Sequence, residues 1–136
     1  MSNTMSTQMT IFLYGRPITK KNSPRIVTNG RFPRVLPSEQ YMRYRGDCLR
    51  QIPGNYQQRI DKPINLRCLY FMPTRHRVDL VNLIEATCDI LVDAGVLADD
   101  NSKIVVSHDG SRVLYDKQDP RVEVYIEEVW NYASTL

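Results

Sequence analysis

Residues 79–101, DLVNLIEATCDILVDAGVLADDN, limit the fold more than any other stretch of the chain. An acid opens the segment, apolar residues recur at helical spacing, Gly95 closes it, and Asp99 and Asp100 follow at once. The spacing predicts a helix of about fifteen residues, ~22 Å long, with Asp79 as its N-cap. Leu80, Leu83, Ile84, Thr87, Cys88, Leu91 and Val92 or Ala94 make an apolar stripe that needs a sheet beneath it. Asn82, Asp89 and Asp93 fall on another side, where Asp89 and Asp93 are expected to face solvent. Asp99 and Asp100 lie past the far end, so only the tertiary fold can return them to Asp79. Carboxylates that converge suit a divalent cation of the magnesium type, which takes hard oxygen ligands and keeps waters for a phosphate substrate.

The rest of the chain supplies the sheet. With 136 residues, 42% of them hydrophobic, it is long enough for one core, and one domain over residues 1–136 is the expectation. Met1 to Gln8 and Asn131 to Leu136 read as flexible tails. Met9 to Tyr14 is a first strand. Prolines 17, 24, 33 and 37 then make Ile18 to Pro37 a long loop or irregular hairpin, because proline removes amide donors. Ser38 caps a helix in which Tyr41, Tyr44, Cys48 and Ile52 recur, stopped at Pro53-Gly54. In Ile64 to Met72 the residues alternate with period two, and the far half is apolar on both faces, as in a central strand. Lys103 to Ser107 and Arg121 to Trp130 are further strands, joined by a segment of turn residues that includes Arg112. His108-Asp109 resembles a catalytic pair or, with Gly110 next, a turn. The expected fold is α+β: a mixed sheet of four or five strands with two helices on one face, ordered β, basic loop, α, β, α, β, β.

Charge is unevenly divided. Gly15 to Arg50 holds nine Lys and Arg against two acids, while the whole chain is only +3, so the remainder is net acidic. A polyanion meeting the first third and a cation held by the rest is the division this implies. Three well-separated cysteines form no CxxC pair and read as small buried or half-buried groups in a reducing compartment. With no signal peptide and no long apolar run, the chain is expected in the cytoplasm and away from membranes. Arg75, His76 and Arg77 stand next to Asp79, placed to hold a phosphodiester backbone without reading its sequence.

The segment Phe71 to Val106 resembles the core of the RusA family of Holliday junction resolvases. There a strand ends at Met-Pro, a basic cluster follows, then Asp-Leu-Asp-Asn-Leu with a lysine three residues on, a helix ending Ala-Gly, and Asp-Asp before the next strand. GRPITKKNSP, Gly15 to Pro24, is similar to the family's basic loop. The resemblance implies a magnesium-dependent endodeoxyribonuclease, a homodimer, that resolves four-way DNA junctions by paired symmetric nicks. A four-way junction has approximate two-fold symmetry, which a dimer with two sites matches. Asp79 corresponds to the first catalytic aspartate, Asn82 to the asparagine and Asp100 to the later aspartate, with Asp99 before it. DNA contacts fall to Lys20, Lys21, Arg25, Arg75, His76, Arg77, Lys103 and Arg112.

Two positions depart. Val81 replaces the second aspartate and Glu85 replaces the lysine. Positions 81 and 85 are neighbours on one helix face, and side chains lean toward the N-terminus. Glu85 is therefore the candidate for the displaced third acid, giving Asp79, Asp100, Glu85 and Asn82 as metal ligands; its alternative is an ordinary surface residue. Lys103, His108, Lys20 and Lys21 are candidates for the role of the missing lysine. The same departures support a second reading, a branched-nucleic-acid binding module without catalysis. A metal nuclease acting on flaps or single strands is the third.

Overall fold

A computed structural model describes residues 5–21, 25–30 and 32–129. Strand β1 is Met5–Tyr14. It starts ahead of the apolar run because Met5, Ser6 and Thr7 pair with Val129, Glu128 and Glu127 of the last strand. Backbone pairing at a sheet edge tolerates polar side chains, so Met5 to Gln8 belong to the strand and not to the expected tail, whose other residues lie outside those described. The second expected tail, and Trp130, also lie outside them.

The basic loop is a hairpin of β2, Arg25–Asn29, and β3, Phe32–Leu36. Gly30 turns it at φ +79°, a left-handed conformation that costs glycine nothing. Pro33 stands opposite Thr28, tolerated because each strand of a two-stranded sheet has a free edge. Helix α1, Glu39–Gln51, begins where Ser38 Oγ accepts the Tyr41 amide at 3.1 Å. It buries Tyr41, Tyr44 and Cys48, the stripe its spacing requires. At its end Gln51 reaches the outer edge of β1, accepting the Tyr14 amide at 2.7 Å and donating to the Tyr14 carbonyl at 3.0 Å.

β4, Ile64–Met72, is the central strand. Helix α2, Leu80–Asp93, follows, and after it come β5, Val105–Ser107, β6, Arg112–Tyr115, and β7, Arg121–Val129. β5 starts later than expected because the Val105 amide is still donating to the Asn101 carbonyl, 2.9 Å away, in a turn. β6 is a strand where turn residues alone were expected: RVLY is only four residues long and lies between two turn-rich segments.

The five-stranded sheet runs β1-β7-β4-β5, with β6 also on β4. β1 and β4 are antiparallel to β7, whereas β5 and β6 are parallel to β4. Both use the same edge of β4: β5 pairs with Ile64 and Asn65, β6 with Leu69 to Met72. The gap between them is closed by side chains. Ser111 Oγ accepts the Cys68 amide at 2.9 Å and donates to the Leu66 carbonyl at 3.3 Å, and His108 Nδ1 lies 3.1 Å from that same carbonyl.

One sheet face packs under both helices. Met9, Ile11, Leu13, Ile64, Leu66, Cys68, Tyr70, Val122, Val124 and Ile126 meet Leu83, Ala86, Ile90 and Leu91 of α2 in one core. The buried side of α2 is shifted from the expected stripe: Ala86 and Ile90 join it, while Leu80, Ile84 and Val92 are half-buried. Tyr70 and Thr87 lock the helix to the sheet through a 2.6 Å hydrogen bond. Because Thr87 Oγ1 donates to the Leu83 carbonyl at 3.0 Å, the Tyr70 hydroxyl is the donor.

The three cysteines are free and buried. Burial pushes the Cys48 thiol up to about 11 and those of Cys68 and Cys88 to about 12, so all three stay protonated at neutral pH. Among the described residues no helix is long and apolar enough to cross a membrane.

Candidate active site

Asp79 has the extended backbone of an N-cap, and its Oδ1 accepts the amides of Val81 at 2.9 Å and Asn82 at 3.3 Å. The carboxylate is thereby stabilised by the positive end of α2, with Oδ2 left over. At the other end, Gly95 takes φ +77° and the chain turns back. Asp99 organises the returning loop. Its Oδ1 accepts the Asp100 amide at 2.8 Å and its Oδ2 accepts Asn101 Nδ2 at 3.2 Å. Those bonds, the Asp100 amide foremost, hold the Asp99 carboxyl below the usual range. Both oxygens being used, Asp99 acts as the clasp of the loop.

Asp100 is the residue the clasp presents. It lines a cleft of about 320 Å³ together with Val81, Ile84, Glu85, Cys88 and His108. The loop after the helix therefore returns Asp100 to the flank of α2, beside Cys88 near its middle. Glu85 and Asp100 share this cleft; Asp79 and Asn82 do not line it. Val81 does, and its side chain is 70% exposed, so its methyl groups gain little from burial there. Among the described residues, no three Asp, Glu, His or Cys side chains come close enough to chelate an ion.

Asp100 also forms part of a second cleft, of about 420 Å³, whose charged residues include Lys20, Arg45, Asp89, Asp93 and Asp99. Asp89 and Asp93 are not the solvated face expected of them. Asp89 pairs with Lys20, and Asp93 accepts Arg45 Nε at 3.1 Å and Nη2 at 2.5 Å. The basic loop and α1 fold down onto α2, which a helical wheel of α2 alone cannot reveal. Lys20 is thus engaged with an acid in this structure.

The basic residues fall into separate groups. Arg16, His76 and Arg77 line a small cleft of about 110 Å³ with Thr19 and Thr74. Arg16 lies in the basic-loop stretch but is not among the expected DNA contacts; the approach of the β1 end to the β4–α2 loop brings it beside His76 and Arg77. Arg75 stacks on Tyr115, its guanidinium carbon 4.2 Å from the ring centroid. Arg25 is turned toward α1, 3.4 Å from Glu39 Oε1. Lys21, Lys103 and Arg112 are exposed.

A phosphate held between Arg16 and Arg77 fixes position without reading sequence. Replacing both with alanine is expected to weaken binding to all DNA sequences alike. It should also lower the slope of log affinity against log salt by ~2, one counterion per lost phosphate contact. Titrating DNA at several salt concentrations checks this, and an unchanged slope counts against a phosphate role.

No curated protein matches the chain. A family described as endodeoxyribonuclease RusA matches residues 15–127, from the start of the basic loop to near the end of β7. That match spans most of the 136 residues, and it takes in the capped start of α2, the clasped Asp100 loop and the basic cleft. The chain belongs to the RusA family of endodeoxyribonucleases.

Proposed function

We propose that this protein resolves four-way DNA junctions by magnesium-dependent hydrolysis, cutting two strands symmetrically as a homodimer. The observation that carries the reading is the return of Asp100 to the flank of α2, facing the cleft that Glu85 also lines. Two-fold pairing of copies would supply the second site for the second cut.

Among the described residues a complete three-acid cage is not built. The donor set nevertheless fits magnesium, which commonly binds through one or two carboxylates and completes its shell with water and substrate phosphate. Asp100 and Glu85 would hold the ion; Asp79, which caps the helix that carries Glu85, and Asn82 do not line this cleft. When bound, the ion supplies charge to the scissile phosphate and lowers the pKa of a bound water. Arg16, His76 and Arg77 anchor the backbone beside the cleft. Asp99 keeps the Asp100 loop in place, and the Val81 and Asn82 amides orient the Asp79 carboxylate.

Val81 favours a second reading, a junction-binding module without catalysis, because a valine there removes an oxygen ligand. One assay separates the two. The wild type, Asp79→Asn and Glu85→Gln are incubated with a synthetic four-way junction in magnesium, beside linear and flap DNA. Paired nicks in the junction by wild type, reduced in Asp79→Asn, support the resolvase. Tight binding by all without nicking supports the module, and equal cutting of every substrate supports a general nuclease. Glu85→Gln is expected to nick at least ~10-fold more slowly, about 1.4 kcal/mol in the barrier; a wild-type rate ends the idea that the third acid has moved one turn.

A further inference from the structure

We propose that His108 is a further catalytic residue of this cleft, whose Nε2 holds the water that attacks the scissile phosphate and accepts a proton from it. The inference rests on the nuclease reading above. It starts from a hydrogen bond. His108 Nδ1 lies 3.1 Å from the Leu66 carbonyl oxygen, which only accepts, so Nδ1 is the nitrogen that carries hydrogen. In the neutral ring the lone pair is then on Nε2. The imidazole lines the cleft with Glu85 and Asp100, where the attacking water is needed.

The ring is held still. Asn65, fully buried, accepts Ser107 Oγ at 2.6 Å and the Asp109 amide at 2.7 Å through Oδ1, and donates to the Asp109 carbonyl at 3.0 Å. The residues on both sides of His108 are thereby pinned to β4. Asp109 is not the imidazole's partner, so the apparent catalytic dyad of the sequence is not formed; the Leu66 carbonyl takes the orienting role that a carboxylate has elsewhere.

A purely structural role is a weak account of this geometry. Leu66 already receives Ser111 Oγ at 3.3 Å, so its carbonyl is satisfied without His108. Nor do the cleft's other walls offer a neutral proton acceptor. Val81 and Ile84 are apolar, and the Cys88 thiol, raised to about 12, is protonated. Glu85 stands where the family has lysine, which leaves His108 as the one nitrogen side chain among the described residues lining this cleft.

The step balances. The water oxygen bonds to phosphorus, the bond to the leaving sugar oxygen breaks with its electron pair, and the water's proton passes to Nε2. The sugar oxygen takes a proton from solvent, and the imidazolium returns its own to solvent. One water is consumed per nick.

The test uses the full chain, a four-way junction and magnesium, with single-turnover nicking, junction binding and thermal melting measured together. His108→Asn is the informative variant, because its side-chain amide can still donate to Leu66 but carries nothing where Nε2 stood. It is expected to melt and bind like wild type and to nick ~10²-fold more slowly or worse, the usual contribution of a positioned proton acceptor. His108→Ala should lose as much, and added imidazole should restore part of its rate while leaving Asp100→Asn inactive. Wild-type nicking by His108→Asn overturns the proposal. So does a lost rate in His108→Ala that imidazole never restores. If the wild type itself leaves the junction whole, the nuclease reading has failed and this one falls with it, an outcome distinct from active variants.

Discussion

Asp100→Asn is expected to stop nicking while leaving junction binding intact. Single-turnover rates on a four-way junction should fall by ~10³-fold or more, the scale seen when a group that acts only in the transition state is removed. The asparagine keeps the size of the side chain. Asp100 is exposed and the loop is held by the bonds of Asp99, so the melting temperature should hardly move. Loss of a negative charge beside the DNA backbone should, if anything, tighten binding. Asp99→Asn gives the contrast. It weakens the clasp on the loop, so its rate loss should come with a loosened loop, visible as faster amide exchange at Asp100 and Asn101. Equal nicking by wild type and Asp100→Asn would remove the central residue of the proposed site.

Asn65→Ala is expected to cost the most stability. The side chain is fully buried and makes all four of its hydrogen bonds: to Ser107, to the Asp109 amide and carbonyl, and to Glu127 Oε1 at 2.9 Å. Alanine leaves Ser107 and Glu127 unpaired and half-buried, and the exposed Asp109 backbone unpinned. At ~1–3 kcal/mol for each unsatisfied group, offset by relaxation and by Arg67, which stays 3.3 Å from Glu127, a net loss of ~3 kcal/mol follows. For a domain of this size that is ~10 °C in melting temperature, read by circular dichroism. The loop carrying His108 loses its anchor at the same time, so nicking should fall even below the melting range. A variant that melts within a degree or two of wild type would mean that water takes over the bonds.

These two residues mark where the sequence was legible and where it was not. Asp100 stands out in sequence because Gly95 must end the helix and two acids follow, and the resemblance places it. Its return to the flank of α2 is a property of the loop closed by Asp99, which no periodicity reports. Asn65 is the reverse case. Period two puts it on the outward face of β4, yet it is fully buried, because the Ser107–Ser111 connection folds over that face. Local signals were enough for the ends of α1 and α2, since capping is a contact between near neighbours in sequence. They were not enough for β6, whose four residues gain strand character only from β4. Nor were they enough for the pairs of Lys20 with Asp89 and Arg45 with Asp93, which join residues far apart in the chain.

The split outer strand has a consequence for how copies of this protein can meet. An incoming extended chain finds only three residues of β5 and four of β6 on that border, with side chains plugging the space between them. The opposite border, β1, is ten residues long, but Gln51 occupies the amide and carbonyl of its last residue. The β5/β6 border is thus no template for an added strand, which leaves β1, with a register shift between Thr7 and Met9, as the border of this sheet on which another strand could pair.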